Sequence, residues 1–105
     1  MSYESQIKAI KEPSFEAIRS VASKEILKLD KAKRDKLWEE LKRGTAQLQT
    51  DEHMCQYLYS LGNMHQAKLL DAYKKLPPEF FKNEIEVVDW GCGQAIGSIV
   101  FFDFI

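Results

Sequence analysis

The chain has 105 residues, 45% of them hydrophobic and 30% charged, which allows one modest core in an ordinary globular protein. A net charge of −1 gives no electrostatic case for a nucleic-acid or membrane partner. Two cysteines, Cys55 and Cys92, exclude a disulfide framework, and neither has the spacing of a zinc ligand, so no metal is expected.

Both cysteines are expected to be reduced thiols, as in a cytoplasmic protein. The N-terminal MSYESQIKAIKEPS has no apolar core of signal-peptide length, and no run is long enough to span a bilayer. Ile7 and Ile10 lie at helical spacing and predict a short first helix, which Pro13 closes or separates from the next. From Ser14 onward, Phe15, Ile18, Ala22, Ile26 and Leu29 recur in steps of three and four and mark one face of an amphipathic helix.

Asp30 is the expected N-cap of a third helix that buries Leu37, Trp38 and Leu41 and ends at Gly44. Its basic residues Lys31, Lys33, Arg34, Lys36, Lys42 and Arg43 are interrupted by Asp35, Glu39 and Glu40, which reads as a solvated face. Thr50 or Asp51 caps a stretch with Met54, Tyr57, Leu58 and Leu61. Gly62 and Asn63 are expected to end it and start another helix with Leu69, Leu70, Tyr73 and Leu76. Tyr57, Asn63 and His65 are candidates for a pocket, although a capping Asn and a structural His are the preferred roles. His53 is expected in an exposed first turn.

Pro77 and Pro78 stop the helices. The organisation read from this is a helical region over residues 1–76, a proline-containing linker over 77–84, and a β-turn-α unit over 85–105. In that last unit Val87 and Val88 predict a buried strand, Asp89 stands at its end, and Gly91 and Gly93 form a turn. A mostly apolar helix from Ala95 to about Phe104 follows. Trp38 and Trp90 are expected to pack.

Two cofactor classes use a glycine turn of this kind. A dinucleotide fingerprint G-x-G-x-x-G would need glycine where Ile96 stands, and a carboxylate at Asp89 would repel a pyrophosphate. A cofactor carrying a sulfonium and an ammonium instead suits that carboxylate. The run Val87-Val88-Asp89-Trp90-Gly91-Cys92-Gly93-Gln94-Ala95 resembles motif I of the class I S-adenosylmethionine-dependent methyltransferases, two apolar residues followed by D-x-G-x-G-x-G. Asp89, Gly91 and Gly93 match it by position, and Ala95 stands where a third glycine is usual. The family often carries a helical N-terminal extension.

The resemblance implies a Rossmann-like α/β fold of which this chain holds the first β-turn-α unit behind a helical region. It implies S-adenosylmethionine as cofactor, with Asp89 helping to hold the methionine amino group and Gly91, Cys92, Gly93 and Gln94 lining the loop. Cys92 is expected to be a small filler, not a nucleophile. The acidic residue that binds the ribose would come about 20 residues after the turn, past Ile105. The chain is therefore expected to be an N-terminal portion of such an enzyme, inactive alone, with an unidentified acceptor: RNA, protein or small molecule. No catalytic residue can be named. The alternative is a small helical interaction protein that binds no cofactor and covers its apolar 99–105 tail by self-association or with a partner.

Overall fold

The computed structural model describes residues 2–90 and 94–105, and among these every regular element is a helix. Five α-helices run from Tyr3–Lys8 (α1), Phe15–Leu27 (α2), Lys31–Glu40 (α3), Asp51–Lys74 (α4) and Ile96–Phe104 (α5). Short 3-10 turns occupy Lys42–Gly44 and Pro78–Phe81.

The first four helices begin on a side-chain oxygen that accepts from an amide three residues on. The pairs are Ser2 with Ser5, Ser14 with Ala17, Asp30 with Lys33 and Thr50 with His53. Each such cap stabilises its helix by about 1 kcal/mol.

Helix α4, 24 residues long, is the spine against which α2, α3 and α5 pack. Among the described residues the buried apolar side chains are Phe15, Ala22 and Ile26 from α2, Leu37 and Leu41 from around α3, Cys55 and Leu58 from α4, and Val100 and Phe101 from α5. The apolar spacing of α2 therefore does what its periodicity predicts. Arg19 reaches from α2 to α4, its Nε donating to the Leu58 carbonyl at 3.1 Å and its Nη2 to that of Tyr59 at 2.8 Å.

The stop and restart expected at Gly62 and Asn63 do not occur; α4 passes straight through both. A Cβ on Gly62 would lie 3.2 Å from Phe15 Cζ and 3.4 Å from Arg19 Cδ. The glycine is a notch at the crossing with α2, and that packing outweighs its helix-breaking tendency of about 1 kcal/mol. Trp38, expected inside, is 39% exposed. His53 is not a free surface residue, because its Nε2 lies 2.6 Å from Glu40 Oε2 and joins α4 to α3.

The expected Rossmann-like β-turn-α unit is absent from the described residues. Residues 84–89 belong to neither helix nor strand, and no backbone–backbone hydrogen bond among the described residues reaches them. Strand propensity reflects how well a side chain fits a pleated, half-buried surface, not a preference that survives alone. With every other described element helical, Val87 and Val88 have no neighbour to pair with, and Val88 is 69% exposed. The helix after the turn forms as expected, but it packs against other helices. Its Val100 and Phe101 are buried, and the Phe15 amide donates to Asp103 Oδ2 at 2.8 Å.

Two predictions follow from the packing. Replacing Gly62 with leucine forces α2 away from α4 and should lower the unfolding free energy by about 2 kcal/mol, measurable by urea denaturation. The second concerns pH. Burial, with Glu25, Asp51 and Glu52 adding, pushes the Cys55 thiol from its usual 9.0 up to about 12. Burial, with Cys55 and Asp51 adding, likewise pushes the Tyr3 hydroxyl from 10.0 to about 12. The unfolded chain then ionises these groups first, so stability is flat with respect to them below pH 9 and falls from there toward pH 12. Urea midpoints measured across that range should drop.

Candidate functional site

Helix α5 starts on a residue that cannot cap it. Ala95 is its N-cap, carries no acceptor and sits at φ 59°, ψ 32°, in the left-handed region that glycine occupies without cost. Asp89 supplies the missing cap from six residues upstream. Its Oδ2 accepts from the Ser98 amide at 3.1 Å and from the Ser98 hydroxyl at 2.8 Å. The carboxylate thus rests on the positive end of the helix.

Gly97 lies against that carboxylate, and a Cβ there would be 3.4 Å from Asp89 Oδ2, in ordinary contact. The Gly97 carbonyl accepts from the Tyr73 hydroxyl at 2.9 Å, which ties the first turn of α5 to α4. Burial, with the Asp89 charge adding, raises the Tyr73 hydroxyl above its ordinary pKa, so it remains a donor. Gln94, just before α5, is tied to α4, its Nε2 donating to the Met54 carbonyl at 3.3 Å.

Two open grooves border this corner. One, of about 400 Å³, is lined by Glu86, Val87, Val88 and Asp89 on one side and by Leu69, Tyr73, Gly97 and Ser98 on the other. The second, of about 320 Å³, is lined by Tyr57, His65, Lys68, Leu69, Ile96 and Gly97. In it the Tyr57 hydroxyl and His65 Nε2 are 2.8 Å apart, and the two rings stack with centroids 5.6 Å apart.

Of the residues expected to bind cofactor, Asp89 and Gln94 flank the loop as described, while Gly91, Cys92 and Gly93 lie outside the described residues. Trp90, expected to pack, is 93% exposed. Asn63 is an exposed residue within α4 and caps nothing, whereas His65 and Tyr57 do meet, on one groove wall. Sequence reasoning missed Ser98, Tyr73 and Lys68. Ser98 had a signal: it is the third residue of a helix whose N-cap is an alanine, so an acceptor had to come from elsewhere. Tyr73 and Lys68 had none, because each reads as an ordinary face residue of an amphipathic helix.

No protein-family model, curated protein or solved structure matches this chain. Among the described residues no cluster of side chains suits a metal ion, and no helix is long and apolar enough to cross a membrane.

The left-handed alanine gives a direct check. Replacing Ala95 with glycine relieves the steric cost of φ 59° and should raise stability by about 0.5–1 kcal/mol, read as a higher thermal midpoint.

Proposed function

We propose that residues 89–98 form the cofactor loop of an S-adenosylmethionine-dependent methyltransferase. The observation that carries this reading is the Asp89 carboxylate. It is fixed by Ser98 at the first turn of α5, lines a groove with Glu86, and has no ion-pair partner among the described residues. A fixed carboxylate without a cation fits an ammonium or sulfonium ligand. The left-handed backbone at Ala95 further supports the motif, since that position is usually glycine in the family.

In this reading Asp89 holds the amino group of the methionine moiety, Gln94 steadies the loop through the Met54 carbonyl, and Gly91, Cys92 and Gly93 line the cofactor. S-adenosylmethionine supplies a methyl group activated by its sulfonium. This chain contributes orientation and charge, the terms by which a bimolecular transfer becomes effectively unimolecular.

A second reading is a helical interaction protein, favoured by the apolar surface after the second proline. Val88 and Trp90 are largely exposed, and Phe102 and Ile105 of the C-terminal tail are about 60% exposed although Val100 and Phe101 beside them are buried.

Calorimetric titration with S-adenosylhomocysteine separates the two. Saturable binding is expected, and Asp89→Asn, which keeps an acceptor for Ser98 but removes the charge, should weaken it about tenfold or more. A folded wild-type chain that takes up no ligand overturns the methyltransferase reading. In that case, self-association rising with concentration in sedimentation would support the interaction reading.

A further inference from the structure

The two grooves beside α5 have opposite electrostatic character and share a wall. The Asp89 groove contains two carboxylates, Glu86 and Asp89, and no basic residue. The other contains Lys68 and His65 and no acidic residue. Both are bounded by Leu69 of α4 and Gly97 of α5, so the change of sign happens across a single pair of residues. Gly97 has no side chain to stand between them. The Lys68 ammonium forms no ion pair among the described residues, and Tyr57 fixes the His65 ring through the 2.8 Å hydrogen bond.

A ligand matched to that arrangement carries an ammonium and a carboxylate on neighbouring atoms. We propose that the Lys68 groove is a carboxylate subsite for an α-amino-acid group whose ammonium lies against Asp89, with Lys68 as the charge partner and His65 as a second donor. This rests on the reading of the Asp89 groove as the cofactor site, and it assigns the amino-acid end of that cofactor to residues of α4 outside the motif. A carboxylate held by an ammonium gains a charge-assisted hydrogen bond. Lys68 is exposed, so solvent screening keeps the gain modest.

The test compares S-adenosylmethionine with its decarboxylated form, which keeps the ammonium and sulfonium but lacks the carboxylate. Dissociation constants are measured by calorimetry on the full chain, with circular dichroism confirming that each variant is folded. The wild-type protein should bind the carboxylate-bearing ligand about tenfold more tightly. Lys68→Met should bring the two affinities together by weakening that ligand alone, and Lys68→Arg should retain the preference. Equal affinities in the wild type, or a preference that Lys68→Met leaves intact, overturns the subsite while the Asp89 reading stands. Binding of neither ligand overturns both.

Discussion

The crossing of α2 over α4 is the constraint on which the rest of the structure depends. Phe15 sits over Gly62, and the Arg19 guanidinium spans to two carbonyls of α4 that already serve the helix. Hydrogen bonds from a charged donor are stronger than neutral ones, so the crossing fixes distance as well as orientation. Everything near the candidate site inherits that geometry. Tyr57, His65, Lys68 and Tyr73 all project from α4 toward the corner or its grooves, the Met54 carbonyl accepts from Gln94, and the N-terminal amide of α2 holds Asp103 of α5.

Polar bonds at the corner then define it locally. Tyr73 holds the Gly97 carbonyl, Ser98 holds Asp89, and Gln94 holds the Met54 carbonyl. A carboxylate used as a helix cap is usually regarded as a stability device. Here the same placement gives it a set position beside an open groove, so one side chain can serve both stability and ligand recognition. The proposed carboxylate subsite extends this logic to the opposite wall, where the charges are basic.

Much of the helical scaffold was legible in the sequence because its signals are local. Asp30 caps α3 as its side chain predicts, Thr50 is the one of two candidates that caps α4, the α2 stripe points inward, and Pro77 follows shortly after α4 ends. The misreadings share a cause in long-range contacts. Gly62 looks like a stop until Phe15 is seen filling the space beside it. Val87 and Val88 look like a strand, but strand formation needs a partner that no single segment encodes. Asp89 was recognised from its motif, yet its bond to Ser98 depends on Ala95 leaving the helix uncapped. Lys68 became interesting only when the fold placed it across Leu69 and Gly97 from two carboxylates.

The bond between the Phe15 amide and Asp103 joins residues 88 positions apart. Bringing such distant points together in a flexible chain costs on the order of 4 kcal/mol of closure entropy. Once α2 has docked on α4, the free segment shrinks to the stretch between Lys74 and Ile96, and the closure cost drops accordingly. Chain entropy therefore makes docking of α5 less costly once the long helices are paired. The corner that carries Asp89 and Ser98 leans on α4 through Tyr73 and Gln94, so its geometry requires α5 seated on the long helix.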